Sequence, residues 1–141
     1  MLYLATSIEV PTTETQSRRL EPVADDTENV LRQVFTLPHV RFVGAHTGCS
    51  CGFPYVVAEE PFDHYQGMFD AGPDREQDVQ SLRALLDLLA VHVSTGSVEL
   101  YPVWNGEEAL PPKGRIRRSL TSLTPETFFF IERFIYELTS D

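Results

Sequence analysis

The chain has 141 residues, of which 42% are apolar and 23% charged, with two cysteines and no apolar run of membrane-spanning length. That length fits a single domain over residues 1–141, whose core needs neither disulfide nor metal. A net charge of −10, from 21 acidic and 11 basic residues, argues against nucleic acid and anionic membranes as partners. A protein partner or a homo-oligomer is the class left open. Met1–Thr6 lacks the basic and long apolar segments of a signal peptide, so a cytoplasmic setting with reduced thiols is expected.

Taken in order, residues 1–10 have strand composition, apolar on both parities, which suits the interior of a sheet. Pro11 to Ser17 reads as a polar loop, and Arg18-Arg19 as surface charges following it. Asp25-Asp26-Thr27 marks a helix start, with Val30, Leu31, Val34 and Phe35 as its apolar stripe and Pro38 as its stop. His39 to Ala45 alternates as a strand. Phe53 to Ala58 is a short strand candidate, and Glu59 to Pro73 an irregular connection. Asp74 with Gln77 resembles a capping box ahead of the main core helix, where Val79, Leu82, Leu86, Leu89 and Val93 repeat at helical spacing up to Gly96. His92, near its end, reads as a packed or half-exposed histidine.

Ser97 to Trp104 alternates as a strand, and Pro102 places it at an edge or a bulge. Asn105-Gly106 favours a hairpin, with the returning strand at Arg115 to Leu120. Thr124-Pro125-Glu126 reads as the start of a last helix, with Phe128, Ile131, Phe134, Ile135 and Leu138 as its buried face. The sum is an α+β domain: a small mixed or antiparallel sheet of about four to five strands, with three helices packed mainly on one face.

Chemistry concentrates in Gly44 to Phe53. His46, Cys49 and Cys51 form a His-x-x-Cys-x-Cys set, and imidazole and thiolate are the groups zinc prefers. A structural zinc needs a fourth ligand, with Asp63, His64 and His39 the nearest candidates. The same residues also suit a thiol-dependent enzyme or redox protein, in which Cys49 or Cys51 is activated by His46. An ordinary turn containing two small half-buried cysteines accounts for them as well. Separately, Lys113-Gly114-Arg115-Ile116-Arg117-Arg118 holds four of the eleven basic residues. Arg115, Arg117 and Arg118 are candidates for binding an anion or phospho-ligand, or for pairing with the chain's own carboxylates. Neither a G-x-G-x-x-G nor a Walker-type motif is present. The expectation is a binding or interaction module, with zinc as its candidate cofactor and no assignable catalytic residue.

Overall fold

The computed structural model describes residues 1–54, 56–58 and 74–141. The first strand, β1 (Leu2–Thr6), is buried along its whole length, as an apolar run on both parities requires. A short β2 (Thr13–Glu14) and β3 (Arg18–Glu21) follow, then α1 (Asp25–Val34) and β4 (His39–Ala45). After the cysteine loop come β5 (Val56–Ala58) and α2 (Arg75–Thr95). The chain finishes with β6 (Val98–Pro102), β7 (Gly114–Ser119), β8 (Phe129–Ile131) and β9 (Phe134–Thr139). Seven strands form one mixed sheet in the order β2-β3-β4-β1-β6-β9-β7, while β5 and β8 pair separately. Within the large sheet every pair is antiparallel except β7 with β9.

Alternation along the strands produces two cores. Leu2, Leu4, Leu20, Val43, Val98, Leu100 and Leu138 pack on one face with Leu82, Leu85 and Leu89 of α2 and with Phe53, Phe128 and Phe130. Tyr3, Ala5, Val40, Tyr101 and Ile135 pack on the other with Leu31 and Val34 of α1 and the adjoining Phe35. The domain is therefore α+β, but the expected four to five strands and three helices on one face are overturned. Among the described residues the large sheet has seven strands, and two α-helices cover its opposite faces.

The largest correction concerns the expected last helix. The spacing of Phe128, Ile131, Phe134, Ile135 and Leu138 fits a helical stripe, yet the segment folds as β8 and β9. Three consecutive phenylalanines, Ile131, Ile135 and Tyr136 favour extended backbone, where bulky and β-branched side chains pack on a pleat. The hydrogen bonds agree. In a helix the Ile131 N–H would return to the Thr127 carbonyl; instead it donates to Tyr136 Oη at 2.7 Å, and Arg118 takes the carbonyls of Thr127 and Phe129. Pro125 opens a single turn that closes with Thr127 N–H on Thr124 O at 3.1 Å.

Four smaller expectations also change. Arg18-Arg19 belong to β3 rather than to a loop. The first strand stops at Thr6. Asn105-Gly106 makes no hairpin, because β9 lies between β6 and β7. Pro102 does not mark an edge, since β6 is interior. It sits at the last residue of the strand, beyond the 98–100 stretch paired with β9, where a missing N–H costs nothing. The expected α1 and α2 are found, although neither has a side-chain cap; Asp25, Asp26 and Glu28 instead place negative charge on the first turn of α1. The 59–73 connection lies outside the described residues.

Beside α1, a buried carboxylate ties sheet and helix together. Glu99, 3% exposed, accepts from Thr36 N–H at 3.0 Å, Thr36 Oγ1 at 2.6 Å and Arg115 Nη1 at 2.5 Å. Removing the Glu99 carboxylate leaves the Thr36 N–H and hydroxyl without their acceptor, while Arg115, open to solvent, keeps Glu137. Glu99→Ala should lower unfolding free energy by about 1–3 kcal/mol in urea titration, and Glu99→Gln by less because the Thr36 bonds can persist.

Candidate functional site

β4 and β6 both run antiparallel to β1, so their C-terminal ends lie beside its start. β9 and β7 begin at the same end, and β3 begins opposite Ala45. This end of the sheet collects the cysteine loop, the 103–113 connection and the turn between β8 and β9.

The cysteine loop is held by its own backbone. Ala45 N–H donates to Cys49 O at 3.0 Å, Gly48 N–H to Ala45 O at 2.9 Å and Gly52 N–H to Cys49 O at 3.2 Å. Gly48 has φ +81°, a conformation that favours glycine. A Cβ at Gly52 would lie 2.5 Å from Thr47 Oγ1 and 2.9 Å from Ala45 Cβ, so close packing explains that glycine. Ser50, which opens a 3-10 turn (Ser50–Gly52), is fully enclosed. Its Oγ accepts from Leu2 N–H at 2.9 Å and donates to Val43 O at 2.7 Å.

The candidate ligands part company here. His46 Nε2 meets Asp78 Oδ1 on the first turn of α2 at 2.8 Å, and its backbone N–H donates to buried Ser81 Oγ at 3.0 Å. The two sulfurs stay together. Cys51 N–H donates to half-buried Cys49 Sγ at 3.2 Å, and Cys51 itself is exposed. Burial raises the Cys51 thiol above its ordinary range, and its hydrogen bond with Cys49 raises it further. Both cysteines are free. Among the described residues no group of three or more histidine, cysteine or acidic side chains is placed to hold a metal ion. His39 begins β4, at the far end of that strand from the loop, and Asp63 and His64 lie outside the described residues.

The basic run of β7 divides by strand parity, as its sequence suggests. Arg115 Nη1 bonds Glu99 and, at 3.2 Å, Glu137 Oε1; Arg117 Nε reaches Glu137 Oε2 at 3.4 Å. On the opposite face Arg118 stacks 5.0 Å from the Phe130 ring centroid and holds the carbonyls of Thr127 and Phe129. A cleft of about 330 Å³ beside this run is lined by Thr36, Glu99, Arg117 and Glu137 among others, so carboxylates share it with the arginine.

Two features at the sheet end escape sequence reasoning: the Ser50 bridge, and a polar group at Tyr101, Glu132 and Arg133. The only sequence signal for the latter is a charged pair, Glu132-Arg133, interrupting an apolar run. Comparison with protein-family models, curated proteins and solved structures gives no match.

Removing the Ser50 hydroxyl would leave a buried N–H and a buried carbonyl unpaired. Ser50→Ala should therefore cost about 1–3 kcal/mol in urea unfolding and increase amide exchange at Leu2.

Proposed function

We propose that the protein is a small binding module whose reactive element is the Cys49/Cys51 dithiol, working by reversible thiol–disulfide exchange. The observation that carries this reading is the arrangement of the two sulfurs: a backbone N–H of Cys51 directed at Cys49 Sγ, and a Cys51 thiol that burial and its neighbour Cys49 push upward. Exchange proceeds by attack of a thiolate on a disulfide sulfur, here Cys49 after its proton has passed to solvent. Cys49 then attacks one sulfur of a partner disulfide, forming a mixed disulfide and releasing the other sulfur as a thiolate that takes up a proton. Cys51 loses its proton to solvent and attacks Cys49 Sγ, releasing the second thiol. The net change oxidises two protein thiols to one disulfide and reduces one disulfide to two thiols.

The occupation of His46 by Asp78 supports this reading over two others. A Cys-His nucleophile needs imidazole facing sulfur, and zinc at His46, Cys49 and Cys51 needs the same imidazole released from Asp78. The bonding of Arg115, Arg117 and Arg118 within the chain likewise favours the structural role for that run over anion capture. A disulfide between residues two apart closes a small, strained ring, and strained disulfides have the more oxidising potentials suited to reversible exchange.

The test uses 2-hydroxyethyl disulfide, a neutral reagent that the −10 chain does not repel. Wild type should lose both titratable thiols without gaining a reagent adduct, and Cys51→Ser should accumulate the mixed disulfide at Cys49. Alkylation of Cys51 should show a midpoint above that of an ordinary thiol, and Cys49→Ser should move it down. Two cysteines that alkylate independently and form no internal disulfide would refute the proposal. Zinc bound near stoichiometry on protein purified without chelator, with both thiols masked until chelator is added, would replace it with the metal site.

A further inference from the structure

Four large apolar side chains stand exposed among the described residues: Ile8, Val91, Trp104 and Leu110. Ile8 lies past the far end of β1, and Val91 is on the last turns of α2. Trp104 and Leu110, 51% and 44% exposed, belong to one segment, the 103–113 connection. Ala109, Pro111 and Pro112 are exposed beside Leu110, so water meets an apolar run of four residues there as well as the indole. Grouped apolar exposure of this kind marks interaction surfaces.

The connection is fixed in place. Glu107 N–H donates to Trp104 O and Leu110 N–H to Glu107 O, each at 3.0 Å. The Glu108 carboxylate accepts from Tyr3 Oη at 3.0 Å and from Gly106 N–H at 2.9 Å, and Arg133 Nη1 holds Pro111 O at 3.2 Å. A surface ordered before its partner arrives loses less entropy on binding.

One peptide unit joins this connection to the dithiol. Met1 O accepts from Val103 N–H at 3.1 Å, and Leu2 N–H of the same peptide donates to Ser50 Oγ at 2.9 Å. These bonds keep the Val103 nitrogen and the Ser50 hydroxyl within about 9 Å of each other. Trp104 follows Val103, and Ser50 stands between Cys49 and Cys51. An extended chain covers such a span in about three residues.

The geometry points to Trp104 and Leu110 as the docking surface for a basic polypeptide segment with a large apolar side chain about three residues from its disulfide. The disulfide in this guest rests on the exchange proposed above. A chain of net charge −10 attracts a basic segment and repels both an acidic one and a second copy of itself. A contact centred on two side chains suits a transient redox encounter, which lies at the low end of interface size, and falls short of a stable homodimer.

The experiment compares two lysine-flanked peptides whose cysteine carries 2-mercaptoethanol in disulfide linkage. One has phenylalanine three residues before the cysteine, the other alanine. The full reduced chain should reduce the phenylalanine peptide about tenfold faster, by second-order rate constant. A glutamate-flanked version should react more slowly than the lysine-flanked one. Trp104→Ala and Leu110→Ala should each bring the phenylalanine-to-alanine ratio towards one. Trp104 is the single tryptophan of the chain, so its fluorescence reads docking separately from exchange. The phenylalanine peptide with serine in place of cysteine should shift that fluorescence saturably. A chain that leaves 2-hydroxyethyl disulfide unreduced refutes the exchange, and the serine peptide then decides the surface alone. Where that reagent is reduced, equal rates for the two peptides, or no saturable fluorescence change, would overturn the docking surface and leave the exchange standing. Self-association in sedimentation that Leu110→Ala abolishes would overturn it too, and give the surface to a second copy.

Discussion

The end of the sheet depends on one hydroxyl. β1 and β4 pair with Tyr3 opposite Phe42, so Leu2 faces Val43 at the next step. At that step Leu2 N–H and Val43 O are joined through a side chain and not to each other. Ser50 instead inserts its Oγ, accepting from Leu2 N–H and donating to Val43 O. Both backbone groups stay satisfied while the strands are spaced by one side-chain oxygen. The loop that supplies Ser50 is thereby drawn into the sheet, and Cys49 and Cys51, on either side of Ser50, acquire their positions from it. A flexible loop would present two independent thiols; this one presents a pair with a defined donor and acceptor.

The same constraint separates His46 from the sulfurs. Backbone bonds between Ala45, Gly48 and Cys49 close the loop, while His46 is pulled towards α2 by Ser81 at its N–H and Asp78 at its ring. Sequence distance alone suggests a three-residue chemical set. The fold turns it into a structural tie to the helix and a dithiol on the surface. Proximity along the chain was a fair signal for the cysteines, which lie in one turn, and a poor one for His46, whose side chain is directed by a helix more than thirty residues away.

Much of the fold was legible because periodicity and burial coincide. β1 is apolar on both parities and lies inside the sheet; α2 repeats leucine at helical spacing and buries Leu82, Leu85 and Leu89. The last segment failed for a physical reason. Phe128, Ile131, Ile135 and Leu138 satisfy a helical stripe, and the competing preference of consecutive aromatic and β-branched residues for a pleat decided the outcome together with Arg118. That arginine lies just upstream, on β7, and takes carbonyls that a helix would use internally. Glu99 was equally hard to read. Nothing local distinguishes a strand glutamate on the surface from one that receives Thr36 and Arg115 in the interior.

Arginines account for how so acidic a chain is held together. Arg18 bonds Ala84 O at 3.0 Å, Arg41 bonds Val10 O at 3.0 Å and Val40 O at 2.9 Å, and Arg133 bonds Pro111 O at 3.2 Å. With Arg115 on Val34 O at 3.4 Å and Arg118 on Thr127 and Phe129, guanidinium groups repeatedly serve backbone carbonyls of helices, strands and turns. A planar fork with several donors can satisfy carbonyls that no ladder reaches, a task a point charge performs poorly. Basic residues used in this way are tied to the framework, while many of the carboxylates remain in water. The charge excess of the surface and the bonding of its irregular segments are thus two consequences of one allocation. Arg18 and Arg133 fit the pattern only in part: each holds a carbonyl through Nη1, while its buried Nε has no hydrogen-bond partner.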